Sequence, residues 1–88
     1  MCRNIRPLFN YHPPTTDAEV RDAALQFVRK ISGTQKPSKA NEAAFEKAVL
    51  EVTESCRRLL KGLVTTAPPR DRQAEIAKAR ERSRQRFA

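Results

Sequence analysis

The feature that most constrains the fold of this chain is a long stripe of apolar residues that recurs with helical spacing in its middle. Such a stripe is typical of a helix that buries one face, because a strand would alternate at every second residue. Pro37 precedes the stripe, and Ser38 or Asn41 is the candidate N-cap. We therefore predict one helix over residues 38–64. Its apolar face is formed by Phe45, Ala48, Val49, Val52, Cys56, Leu59, Leu60, Leu63 and Val64.

A second helix is predicted upstream, over residues 16–33. Thr16 and Glu19 have the spacing of a capping box, in which each side chain accepts a hydrogen bond from the other residue's backbone N–H. Gly33 follows the last apolar position and is typical of a helix C-terminus. The apolar residues between these two signals again have helical spacing, and they are Val20, Ala23, Ala24, Phe27, Val28 and Ile31.

The two helices are joined by the short segment from Ser32 to Pro37, which favours an antiparallel helical hairpin. A DNA-binding helix-turn-helix is excluded, because that motif has a tighter turn and both helices here bury their apolar face. The predicted core consists of Phe27, Phe45, Val49, Val52, Leu59 and Leu60. Substitution of the core residue Leu59 by alanine is expected to cost about 2–5 kcal/mol.

The two ends of the chain complete the predicted architecture. Residues 1–15 contain three prolines, which forbid a continuous helix, so we predict an extended arm packed on the hairpin. The apolar residues expected to hold this arm are Ile5, Leu8 and Phe9. Residues 70–87 contain good helix formers with little apolar face, so we predict a basic C-terminal helix there. The sequence thus predicts an all-α fold and a single small domain over residues 1–88.

Net charge limits the classes of partner. Eighteen Lys and Arg residues against ten Asp and Glu residues give a formal charge of +8. A balance this basic attracts nucleic acid, an acidic protein or an anionic membrane surface, although it can also serve solubility alone. No apolar run approaches the ~20 residues of a membrane span, so no membrane partner is expected. The opening residues lack the apolar run of a signal peptide and the cysteines are few, so we expect a cytoplasmic location.

The C-terminal segment concentrates the positive charge, because residues 70–87 hold seven basic and three acidic residues. On a helix the basic side chains would form two lanes at i,i+4 spacing. These lanes can contact a phosphate backbone but cannot by themselves recognise a base sequence. The alternative is a solvated helix with Glu75–Lys78 and Glu81–Arg84 pairs. The candidate anion-binding residues are Lys78, Arg82 and Arg86 in one lane and Arg80 and Arg84 in the other.

Two arginines of the arm, Arg3 and Arg6, are further anion-binding candidates. A guanidinium can grip a phosphate or a carboxylate with two parallel N–H groups. The alternative is a structural role, in which they bond helix C-terminal carbonyls or acidic side chains such as Glu51 or Glu54.

Thiol or metal chemistry would have to be built on Cys2 and on His12, the one histidine of the chain. We predict that these two side chains lie too far apart to share a proton or a metal, so no catalytic residue is assigned. A closed zinc site needs four ligands, and two cysteines with one histidine fall short, so no metal or cofactor is expected. Cys56 lies on the apolar stripe and is predicted to pack in the core.

Four stretches of the sequence resemble a family of small bacterial proteins that is known only as a domain of unknown function. They are MCRNIRPLFNYHPP, ALQFVRKISG, PSKANEAAF, and the ending LVTTAPPRDR with AKARERSRQRF. The resemblance covers the whole chain. It implies a bacterial protein of one domain, and it implies no activity, cofactor or catalytic residue.

These features together predict a non-enzymatic binding module for an anionic partner, with nucleic acid first and an acidic protein second. Two other classes stay open. One is a small thiol- or metal-dependent enzyme that uses Cys2 and His12, and the other is a structural or oligomeric adaptor, such as a homodimer, with the long helix as its interface. A binding module should show salt-dependent affinity for polyanions, and an enzyme should bring Cys2 and His12 together at an open cleft.

Overall fold

The computed structural model describes the backbone of residues 5–87 and the side chains as far as residue 85. Most of these residues are helical. Helix α1 spans Asp17–Ser32, α2 spans Glu42–Gly62 after a 3-10 turn at Lys39–Asn41, and α3 spans Arg72–Phe87. Two short strands, β1 at Tyr11–His12 and β2 at Arg70–Asp71, pair with each other. The all-α prediction is therefore right for the bulk of the chain, and the structure adds a small sheet.

Helix α1 begins and ends at the signals that the sequence predicts. The Thr16 hydroxyl accepts a hydrogen bond from Glu19 N at 3.2 Å, and Glu19 Oε1 accepts one from Thr16 N at 2.9 Å. This reciprocal pair confirms the capping box. At the other end Gly33 has a left-handed φ of 75°, and its N–H donates to the Arg29 carbonyl at 2.9 Å. A glycine suits this backbone conformation, which side chains with a Cβ rarely adopt.

Helix α2 is shorter at both ends than the single helix predicted over 38–64. Ser38 and Asn41 stand at the N-cap positions of the 3-10 turn and of α2, but neither side chain caps the backbone. Instead, Asn41 Nδ2 donates to Ser38 Oγ at 3.1 Å. The helix ends at Gly62, and Leu63 is already extended. The predicted side-chain cap is therefore wrong, although Asn41 does mark the start of the α-helix.

The core lies between α1 and α2. Its buried apolar residues are Val20, Ala24, Val28, Phe45 and Val49. Val28, Phe45 and Val49 form one cluster, against which Leu25, Ala48 and Val52 pack while partly exposed. Thr53 is also buried, and its hydroxyl donates to the Val49 carbonyl at 2.6 Å, so that no polar atom is left without a partner there. The predicted core is confirmed for Phe45 and Val49.

Two residues of the predicted core are exposed, which corrects the prediction. Leu59 is 58% exposed and Phe27 is 45% exposed. Arg57 already lies beside Asp17, the first residue of α1, with Nε 3.4 Å from Oδ1, so little of α1 remains to cover Leu59. Phe27 lines an open groove between α1 and α2, in which Ala44 and Ala48 are among the α2 residues, so its ring is only partly covered.

The N-terminal arm packs against α1 and α2 through part of its predicted apolar set. Leu8 and Phe9 are half-buried and line a shallow cleft with Leu60 near the start of α1. The Thr15 hydroxyl donates to the Leu8 carbonyl at 2.6 Å, which fixes the bend between the arm and α1. Ile5, by contrast, is 50% exposed, so the prediction that it anchors the arm is wrong.

The small sheet joins the arm to the residues just before α3. β1 and β2 are parallel, with Tyr11 opposite Arg70 and His12 opposite Asp71. Asn10 has a positive φ of 65°, and its carbonyl accepts a hydrogen bond from Arg70 N at 2.7 Å. Its side-chain amide donates to two further carbonyls before β2, at 3.3 and 3.2 Å. Asp71 Oδ1 then accepts from Ala74 N at 3.0 Å and caps α3.

Within residues 5–87, none of the helices combines the length and the apolar character needed to cross a membrane.

Candidate anion-binding cleft

Between the arm and α3 lies a cleft of about 410 Å³ whose lining is rich in arginine. We call it the basic cleft and define it by Arg6 and Tyr11 from the arm, Arg70 from β2, and Arg72 and Arg82 from α3. The arm and α3 are held together by the β1–β2 pairing, and this pairing is why residues from opposite ends of the chain share one cleft. Two residues that the sequence nominated separately, Arg6 and Arg82, are thus brought together.

Arg72 is the structural member of this set. Its Nη1 donates to Glu19 Oε2 at 2.6 Å, and its Nε and Nη2 donate to the Pro13 carbonyl at 3.3 and 3.2 Å. Its guanidinium carbon also lies 5.5 Å from the centroid of the Tyr11 ring, within range of a cation–π contact. One side chain therefore connects α3 to the arm and to the first turn of α1.

Glu19 serves two structures with its two oxygens. Oε1 accepts the hydrogen bonds of the capping box from Thr16, and Oε2 accepts the bond from Arg72. The hydrogen bond from Arg72, followed by the backbone N–H of Thr16, lowers the pKa of the Glu19 carboxyl. The carboxylate therefore stays ionised at neutral pH and balances the charge of Arg72.

Three guanidiniums of the basic cleft remain for a ligand. Arg70 lies over Tyr11, with its guanidinium carbon 5.7 Å from the ring centroid. Stacking occupies the face of a guanidinium and leaves the N–H groups at its edge free to donate. Arg6 and Arg82 are exposed. Among the side chains that the structure describes, no carboxylate lies within ion-pair distance of Arg6, Arg70 or Arg82.

The outer surface of α3 carries the other predicted basic residues, and Lys78, Arg80 and Arg84 are all exposed. The predicted pairs are confirmed: Lys78 Nζ lies 3.8 Å from Glu75 Oε2, and Arg84 Nη2 lies 3.1 Å from Glu81 Oε2. Exposed pairs of this kind contribute little stability, so they yield readily to a polyanion. Arg86 and Arg3, two further candidates, lie outside the described side chains.

The residues considered for thiol or metal chemistry are only partly described. Cys2 lies outside the described residues, so the predicted separation of Cys2 and His12 stays a prediction. His12 is exposed on β1. Cys56 is a free thiol and is half-buried rather than fully within the core. The described part of the chain contains no group of three or more His, Cys, Asp or Glu residues placed to hold a metal ion.

Sequence reasoning gave Tyr11 no role in a binding site and treated Arg70 and Arg72 only as part of a basic segment. Periodicity cannot show that β1 pairs with β2, because the two strands are separated by most of the chain. One local signal was available. Asp71, two residues after Pro69, indicates a helix N-cap, which would have placed Arg70 and Arg72 on either side of a helix start.

Comparison with protein-family models gives a match over residues 1–78 to a family described as an uncharacterized conserved protein, DUF2277. The match includes β1, α1, α2, β2 and the first turns of α3, and with them four of the five residues that define the basic cleft. No curated protein and no solved structure matches the chain.

Proposed function

Since the chain belongs to DUF2277, a conserved family whose description names no activity, we propose a function from its own residues. The chain is a non-enzymatic binding module for an anionic partner, and nucleic acid is the partner that its chemistry fits best. The basic cleft and the adjoining side of α3 form the binding surface. A cytoplasmic setting, as the sequence favours, brings such a module into contact with nucleic acid.

The single observation that carries this proposal is the presence of three uncommitted guanidiniums in one cleft. Arg6, Arg70 and Arg82 line the same space, and no described carboxylate lies within ion-pair distance of any of them. Like charges held together repel one another, so the cleft favours a ligand that supplies negative charge. A guanidinium binds a phosphate better than an ammonium does, because its two parallel N–H groups can donate to two oxygens of the same phosphate.

The expected contacts are to phosphates and not to bases. Tyr11 is the one aromatic residue among the described residues that line the cleft, and Arg70 and Arg72 both lie against its ring. Stacking of a base on the ring would compete with these two contacts, and guanidiniums bound to phosphate carry no sequence information by themselves. We expect little sequence preference in binding.

Only one side of α3 continues the cleft. Residues two apart on a helix point about 200° apart, so Arg80 and Arg84 face away from the direction of Arg82. A nucleic-acid strand bound in the basic cleft contacts Arg82 directly. Arg80 and Arg84 interact with it only through long-range electrostatic attraction. This difference provides a matched pair of variants for the test below.

We also infer that α1 and α2, which support the arm, run antiparallel. The ion pair between Asp17 and Arg57 joins the start of α1 to the later part of α2, and the Val28–Phe45 contact joins the later part of α1 to the start of α2. Both contacts support this orientation.

The test is the salt dependence of binding to a labelled single-stranded oligonucleotide, followed by fluorescence anisotropy. On a strand with hydroxyl ends, whose phosphates are all diesters, one backbone phosphate for each of the three guanidiniums predicts a slope of log K against log salt of about −2, since each contact on a single strand contributes about −0.7. The Arg70→Gln/Arg82→Gln double variant should retain about one contact and a slope near −0.7. The Arg80→Gln/Arg84→Gln variant removes the same charge from the other side of α3 and should change the slope much less.

Two results would count against the proposal. If the wild-type protein fails to bind single- or double-stranded nucleic acid at low salt, the partner is not nucleic acid. If both double variants flatten the slope equally, binding follows net charge and the cleft has no special part in it.

A further inference from the structure

We propose that the basic cleft is a site for one dianionic phosphate group, the phosphomonoester at the end of a nucleic-acid strand or on a small phosphorylated molecule. This inference rests on the proposed anion-binding function and makes it more specific. It names the group that is held most tightly, whereas the proposed function needs only a series of backbone phosphates.

The charge of the cleft matches a dianion. Among the residues that the structure describes, its lining holds four arginines against two glutamates, Glu19 and Glu75, which leaves an excess of two positive charges. A phosphomonoester carries about −1.5 to −2 at neutral pH. A phosphodiester of the nucleic-acid backbone carries only about −1 and would leave part of the excess unbalanced.

The donors come from three directions. Arg6 stands on the arm, Arg70 on β2 and Arg82 on α3, so guanidiniums line the cleft from three separate segments of the chain. A phosphomonoester has three terminal oxygens, and each can accept hydrogen bonds from a different fork. A diester offers only two such oxygens, and its two ester links must leave the site in both directions. The arrangement therefore favours a terminal phosphate.

The cleft is held in place before the ligand arrives. Arg72 is tied to Glu19 and to the Pro13 carbonyl, and Arg70 rests on the Tyr11 ring. These contacts fix the spacing of the arm and α3, so binding need not order the scaffold at the same time. The ion pair of Arg72 with Glu19 also prevents that carboxylate from repelling the phosphate at full strength.

The size of the cleft suits one phosphorylated unit. Its volume of about 410 Å³ falls within the roughly 300–1,000 Å³ of ordinary small-ligand sites. This space accommodates a phosphate with its attached sugar. A duplex is far wider, because even its major groove measures about 12 Å across, so it can contact only the rim of the cleft.

The experiment compares ligands that differ by one phosphate. Two single-stranded oligonucleotides of the same sequence, one with a 5′-phosphate and one with a 5′-hydroxyl, are titrated against the full chain, and so are a nucleoside monophosphate and the matching nucleoside. The phosphorylated strand should bind at least about tenfold more tightly than the hydroxyl strand. The Arg6→Gln/Arg70→Gln variant should lose this preference. The Lys39→Gln/Lys47→Gln variant, with the same change of charge outside the cleft, should keep it.

Circular dichroism of both variants confirms that they are folded before the comparison is made. If neither ligand pair shows a preference for the phosphorylated member, the phosphate site is wrong, even if both strands bind and the proposed function stands. If the nucleoside monophosphate binds and neither strand does, the site is right but its ligand is a small phosphorylated molecule, and the nucleic-acid function fails.

Discussion

Substitution of Arg72 by glutamine should remove the main link between α3 and the rest of the fold. The side chain donates to Glu19 and to the Pro13 carbonyl and lies against Tyr11. The side chains of Arg72 and Glu19 are 26% and 35% exposed, so solvent screens their ion pair and its contribution is about 1 kcal/mol. The hydrogen bonds to Pro13 contribute about 1 kcal/mol, and the ring contact about 0.5 kcal/mol. Because the three share one side chain and do not add fully, we expect a loss of about 2 kcal/mol.

Thermal unfolding followed by circular dichroism at 222 nm measures this loss. A destabilisation of about 2 kcal/mol lowers the Tm of a chain this small by about 8–16 °C. Arg80→Gln is the control, because Arg80 is an exposed arginine of the same helix, and its loss should cost less than about 0.5 kcal/mol. If the two variants melt within about 2 °C of each other, Arg72 does not anchor α3 and the cleft is not fixed as we describe.

The other predictions concern the core and the acid end of the pH range. Val49 is 1% exposed and Leu59 is 58% exposed, so Val49→Ala should cost about 2 kcal/mol and Leu59→Ala less than about 0.5 kcal/mol. Urea unfolding of the two variants checks this order, and equal losses would contradict the exposure of Leu59. Folding lowers the pKa of Glu19. The contribution of its carboxylate to the free energy of unfolding is therefore complete above the ordinary glutamate pKa of about 4.3, and it is lost as the pH falls through the lower pKa of the folded state. The Glu19→Gln variant should therefore be less stable than the wild-type chain at pH 7, and its free energy of unfolding should fall less than that of the wild type between pH 5 and pH 3. If the two chains lose stability equally over this range, the Arg72 hydrogen bond does not lower the pKa of Glu19.

Local signals in the sequence predicted α1 well. The capping box at Thr16 and Glu19 and the glycine at the end of the helix depend only on neighbouring residues, and both are found in the structure. Such short-range chemistry is visible without knowledge of the fold. The start of α2 was harder, because Ser38 and Asn41 bond to each other and not to the backbone.

The apolar stripe of α2 predicted more core than the chain possesses. Periodicity shows which face of a helix is apolar, but it does not show how long the partner helix is. α1 has 16 residues and α2 has 21, so part of the α2 stripe, with Leu59, has no helix opposite it. Periodicity likewise does not show which side chains of α2 lie opposite Phe27, which lines an open groove and is 45% exposed.

The candidate site could be predicted only in pieces. Arg6 and Arg82 were identified as anion-binding candidates from charge and residue type, but nothing in the spacing indicated that they meet. Their proximity depends on the pairing of β1 with β2 and on the bond between Arg72 and Glu19. Both join residues more than fifty positions apart, and neither pairing leaves a periodic pattern in the sequence.

The most direct test of a phosphate-binding cleft is a titration of the isotope-labelled chain with a short 5′-phosphorylated single strand, followed by its backbone amide resonances in low salt. If the basic cleft holds the phosphate, the largest shifts fall on Arg6, Tyr11, Arg70 and Arg82. Shifts confined to the backbone amides of the exposed apolar residues Phe27 and Leu59, or no shifts at all, would contradict a phosphate site in the basic cleft.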